Sequence, residues 1–115
     1  VSGSTTWSFG VDEDEAVIPA APAGTPENLR LAVETLIDPF GLSADATRDY
    51  LREWRRMADR FGAGYVLGTP SASVRRTGPG EVEIGDLYGQ FQTCRMDAAA
   101  FEELLEALIA FLDRS

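Results

Sequence analysis

The sequence predicts an α+β domain, and three observations carry that prediction. Apolar residues recur at helical spacing over three stretches, near 26–38, 44–61 and 98–113. Shorter stretches alternate polar and apolar residues with a period of two, as half-buried strands do. Glycine- and proline-rich turns separate those stretches by hairpin-like distances. The expected architecture is a mainly antiparallel sheet of roughly four to five strands, with three helices packed mostly on one face. The 115 residues fit one domain, and 44% hydrophobic residues supply a single core without metal or disulfide support.

The first strand is expected over 5–11, where Trp7, Phe9 and Val11 alternate with Thr6, Ser8 and Gly10. Val1-Ser2-Gly3-Ser4 is expected to be disordered, and it has neither the basic nor the apolar region of a signal peptide. Asp12-Glu13-Asp14-Glu15 repels itself and reads as a loop or hairpin tip, followed by the short apolar pair Val17-Ile18. Residues 19–25 are rich in proline and alanine and read as a stiff linker within the domain.

Thr25 is the expected N-cap of the first helix, with Pro26 at its first position and Glu27 at the positive end of its dipole. Leu29, Val33, Leu36, Ile37 and Phe40 form its stripe, and Pro39 and Gly41 end it. Ser43 caps the second helix. Thr47, Tyr50, Leu51, Trp54, Met57, Ala58 and Phe61 form its apolar stripe, opposite five arginines, and Gly62 ends it. The short connection makes these two helices antiparallel neighbours. Strands are expected at 65–67, 72–76 and 81–84, with a turn at 77–80. After Ile84 the alternation slips. Either Gly85 or Gly89 carries a bulge, or Gly85-Asp86 turns the chain into a separate strand over 88–95. Asp97 caps the last helix. Phe101, Leu104, Leu105, Leu108, Ile109 and Leu112 line its apolar side, and Trp54, Leu104 and Leu108 are expected to be buried together.

Absent residue types exclude much chemistry. No histidine means no serine–histidine or cysteine–histidine pair, no HExxH zinc site and no histidine general base. One cysteine without histidine excludes ordinary structural zinc and an internal disulfide, and a reducing cytoplasm is the simplest compartment. No apolar run is long enough to span a membrane. Asp12–Glu15 lacks the ligand spacing of a calcium loop and reads as a solvated turn or a partner-binding patch. Gly62, Gly64 and Gly68 follow a helix and precede a strand, the reverse of a dinucleotide loop. Glu81 and Glu83 share one strand face opposite Val82 and Ile84, which makes them solvent-facing rather than an acid–base pair. Arg95 would favour a Cys94 thiolate, but with no base nearby Cys94 reads as a small core residue.

All ten cations are arginines, against nineteen acids, and the formal net charge is −9. Arg48, Arg52, Arg55, Arg56 and Arg60 lie on the second helix. There Asp49/Arg52, Glu53/Arg56 and Arg55/Asp59 have salt-bridge spacing, so the helix reads as a solvated face and not a nucleic-acid site. The remaining surface repels nucleic acid and anionic lipid and attracts basic proteins.

The segment Glu81–Leu112 combines an alternating strand, the aromatic stretch Leu87-Tyr88-Gly89-Gln90-Phe91, then Arg95-Met96-Asp97 and the helix Phe101-Glu102-Glu103-Leu104-Leu105 to Phe111-Leu112. This pattern resembles small acidic bacterial immunity proteins, which bind and neutralise a toxin. The resemblance implies a non-enzymatic inhibitor with a basic partner. It carries over no catalytic residue, because such proteins share none. The expected contact residues are Asp12, Glu13, Asp14, Glu15, Glu81, Glu83 and Asp86, with Tyr88 as an aromatic anchor. No cofactor is expected, and the chain is expected to be a monomer or homodimer. The competing expectation is a small acidic secretion chaperone or adaptor, acting as a homodimer through an exposed apolar groove.

Overall fold

A computed structural model describes residues 6–114; the expectations for 1–4, and for Thr5 as the start of a strand, lie outside them. The element order is β1 (Ser8–Val11), β2 (Val17–Ala20), α1 (Glu27–Ile37), a 3₁₀ turn (Asp38–Phe40), α2 (Ala44–Phe61), β3 (Ala72–Gly78), β4 (Glu81–Asp86), β5 (Cys94–Asp97) and α3 (Ala98–Asp113). The α+β class holds, but the single sheet does not. β1 and β2 form a separate antiparallel hairpin, and β3-β4-β5 form a three-stranded antiparallel sheet.

Pro19 and Ala20 belong to β2, so the expected linker starts later than residue 19. Pro19 is buried opposite Phe9, where the hairpin packs on α1 and α3. These two helices also cover the inward face of the three-stranded sheet, so they join the two sheets. α2 packs mainly on α3 and not on the sheet, which departs from three helices on one sheet face.

The core follows the expected stripes. Val33, Leu36 and Ile37 from α1, Tyr50, Leu51 and Trp54 from α2, and Phe101, Leu104, Leu105 and Leu108 from α3 are buried against Ala72, Val74, Val82 and Ile84. Trp54 is at the centre, with its ring edge-on to Tyr65 (centroids 4.8 Å apart) and Phe101 (4.9 Å). Phe61, expected in the stripe, is instead 56% exposed, because it is the last helical residue and the helix ends there at Gly62.

The expected strand at 65–67 is one isolated bridge between Val66 and Arg75. Gly64, Leu67 and Thr69 still donate to the carbonyls of Arg76, Val74 and Ala72, so the segment lines the edge of β3. Tyr50 Oη donates to Leu67 O (2.6 Å) and Thr69 Oγ1 to Leu36 O (2.9 Å), which tie it to α2 and α1. A Cβ on Gly68 would lie 2.6 Å from the Ala72 carbonyl oxygen, so only glycine fits this approach.

Ser43 Oγ accepts from the Ala46 N–H (3.0 Å), as a capping serine does. Thr25 does not cap α1: Pro26 occupies that position without a side-chain cap. Asp97 occupies the α3 cap position, also without a side-chain hydrogen bond. The slip after Ile84 is resolved by strand termination. β4 ends at Asp86, 87–93 form a loop, and β5 is only Cys94–Asp97.

Candidate partner-binding surface

The acidic run is the turn of the β1–β2 hairpin. Asp12 organises it: its Oδ1 accepts from the N–H groups of Asp14 (2.9 Å) and Ala16 (3.0 Å), and its own N–H donates to Ala16 O (3.0 Å). Glu15 adopts a positive φ of 61°, which closes the turn. Asp12, Glu13, Asp14 and Glu15 are all exposed, and among the described residues none of them makes an ion pair.

Glu81 and Glu83 sit on the outward face of the three-stranded sheet, opposite the buried Val82 and Ile84. Their surroundings are not purely acidic. Strand register places Glu83 between Arg75 and Arg95. Arg95 reaches Glu83 (3.4 Å) and Glu81 (3.5 Å), and Thr77 Oγ1 donates to Glu81 Oε1 (2.8 Å). This face is a mixed-charge ladder.

Asp86 shapes the 87–93 loop. Its Oδ1 accepts from the N–H groups of Tyr88 (3.0 Å) and Gln90 (3.1 Å). Partial desolvation would raise its carboxyl, but the backbone amides of Gln90, Tyr88, Gly89 and Phe91 outweigh it and hold the group below the usual aspartate range. Phe91 plugs into the core, and Asn28 holds the next residue through Gln92 O (2.7 Å) and Gln92 N–H (2.9 Å). The loop so fixed presents Leu87 and Tyr88, the latter 72% exposed.

The structure therefore brings Asp86 and Tyr88 together and leaves Asp12–Glu15 on a different sheet. No hydrogen bond or ion pair joins the two groups among the described residues. The Asx pattern at Asp86, an aspartate two and four residues before its donors, is the sequence signal for this loop.

The arginine helix is tied down more firmly than local spacing implied. Asp49–Arg52 (3.0 Å) and Glu53–Arg56 (2.5 Å) form as expected. Arg55 ignores Asp59 and reaches across to Glu102 (2.8 Å) and Glu106 (3.1 Å) on α3, and Arg48 pairs with Asp113. These bridges span a groove of about 520 Å³ floored by Leu51 and Ile109, so its charged rims are already matched. A second cavity, about 290 Å³, lies beside the exposed Phe61 and Val66.

Cys94 is half-buried, and burial pushes its thiol up. Arg95, its neighbour in β5, pairs instead with Glu81 and Glu83. No group of three or more metal-ligating side chains and no helix long and apolar enough to cross a membrane occurs among the described residues. Comparison with protein-family models, curated proteins and solved structures finds no match.

Proposed function

We propose that this chain is a non-enzymatic, cofactor-free inhibitor of the immunity or antitoxin type, acting in the cytoplasm on a basic protein toxin. The observation that supports this reading is the hairpin tip. Four consecutive exposed acids, unmatched by any arginine among the described residues, sit on a turn pre-formed by Asp12. An uncompensated cluster of this kind accelerates encounter with a cationic partner. Tyr88, held out by the Asp86-fixed loop, supplies the aromatic contact that such interfaces concentrate energy in. Glu81 and Glu83 take a secondary part, since Arg95 shares their charge. The same acidity disfavours nucleic acid as a partner.

Capture of a basic partner from the source cells, followed by kinetics at two salt concentrations, tests the reading. Changing Asp12, Glu13, Asp14 and Glu15 to their amides should slow association several-fold at low salt and leave dissociation nearly unchanged. The Asp12→Asn change keeps the acceptor oxygen that the turn uses. Tyr88→Ala should instead raise the dissociation rate. An association rate indifferent to salt and to the four substitutions would overturn the electrostatic inhibitor. One observation favours the second reading, a homodimeric adaptor: Phe61 and Val66 are 56% and 53% exposed beside the smaller cavity. A dimer dispersed by Phe61→Asp would support it.

A further inference from the structure

We infer that the outer edge of β1 is a strand-addition site, which takes an extended basic segment of the partner as a third strand of the hairpin. The inference rests on the proposed basic partner and adds the mode by which it is held.

Backbone pairing identifies the edge. The Asp12 N–H donates to Ala16 O, so these two residues form a hydrogen-bonded pair. Such pairs alternate with non-hydrogen-bonded ones along an antiparallel ladder. Gly10–Ile18 and Ser8–Ala20 are then hydrogen-bonded, whereas Val11–Val17 and Phe9–Pro19 are not. The N–H and C=O groups of Phe9 and Val11 therefore point away from β2. Among the described residues they have no hydrogen-bond partner across that edge.

The edges of β2 and β3 are partly covered, and the approach to β5 is tied down. On β2, Pro19 has no N–H to offer, and its carbonyl accepts from Arg30 Nη1 (3.3 Å). The 64–69 segment lies along β3. At the approach to β5, the Asn28 amide takes both backbone groups of Gln92. β1 has no proline and no cation, its Ser8 and Gly10 are exposed, and Val11 is 44% exposed. Support from α3 reaches β1 through the Phe9–Phe111 ring contact (6.2 Å), on the apolar face that Phe9 shares with Trp7 and Pro19.

Charge selects the occupant. β1 runs directly into Asp12-Glu13-Asp14-Glu15, so an added strand passes beside four carboxylates. Main-chain hydrogen bonds to Phe9 and Val11 would supply affinity without sequence preference, and the acids would select arginine- or lysine-bearing segments.

A capped eight-residue peptide of alternating arginine and valine is the probe, read by residue-resolved amide hydrogen exchange. At saturation the Phe9 and Val11 amides should exchange at least tenfold more slowly. A fully N-methylated peptide of the same charge cannot donate, and its methyl groups on both edges keep its carbonyls from reaching the strand, so both rates should stay unchanged. Val11→Pro removes one outward donor that the hairpin does not use, and should weaken peptide binding at least tenfold. If this variant loosens the hairpin, the N-methylated peptide still decides. Peptide that binds without slowing Phe9 and Val11 overturns strand addition and leaves the basic partner standing. Equal slowing by the N-methylated peptide also overturns it, as does failure of the parent peptide to bind at low salt.

Discussion

Trp54 and Asp86 show how much rests on single side chains. Trp54 is fully buried between Tyr65 and Phe101, and its indole N–H has no hydrogen-bond partner among the described residues. An unpaired buried donor costs about 1–3 kcal/mol, so ring packing must outweigh it. Trp54→Ala should lose about 3–5 kcal/mol in a denaturant melt. Trp54→Phe, which keeps an aromatic ring and deletes the donor, should lose clearly less. A loss below about 1 kcal/mol for the alanine variant would place Trp54 outside the core. Asp86 acts locally. Its folded carboxyl is held below the unfolded value, so its contribution is present above that value and is lost as pH falls through the folded one. Below pH ~4, the Tyr88 and Gln90 amides should therefore lose protection, relative to the unstructured rate at the same pH, before the global unfolding transition. Asp86→Ala should show the same low protection at neutral pH, and the protection of its Tyr88 and Gln90 amides should not fall further in acid before global unfolding.

Elements were legible where their determinants are local. The α2 boundaries follow from Ser43, an apolar stripe and Gly62; the cap and the stop are present as expected, and the stripe is buried from Thr47 to Trp54 but ends in an exposed Phe61. Caps were less reliable, because a suitable residue type does not guarantee the bond. Ser43→Ala should cost about 1 kcal/mol, the usual loss for a bonded N-cap. Asp97→Ala, at a position without a side-chain cap bond, should cost less than half as much, and thermal melts of the two variants compare them directly. Strand partnership was not legible. Nothing local says that Pro19 pairs with Phe9, or that the Tyr65–Leu67 backbone makes one bridge and not a ladder. The same non-locality hid the reach of Arg55 to Glu102, which defeated its helical neighbour Asp59.

For the whole molecule, dividing the strands into two sheets decides how the acidic surface is distributed. The hairpin tip was readable as an acidic turn from self-repulsion alone. The tempering of Glu81 and Glu83 by Arg95 was not, since it depends on register between distant strands. The net charge of −9 is thus uneven, sparsely compensated at the tip and interleaved with arginine along α2 and β4. The seating of the hairpin has a consequence for biosynthesis. Its strands leave the ribosome before any other element described here, yet Phe9 rests on Phe111, near the end of the last helix. A two-stranded hairpin is marginal by itself. During translation α1 can cover the β2 side early, but the Phe9 side waits until that last helix has emerged, so the first of these elements to be synthesised is among the last to complete its native contacts.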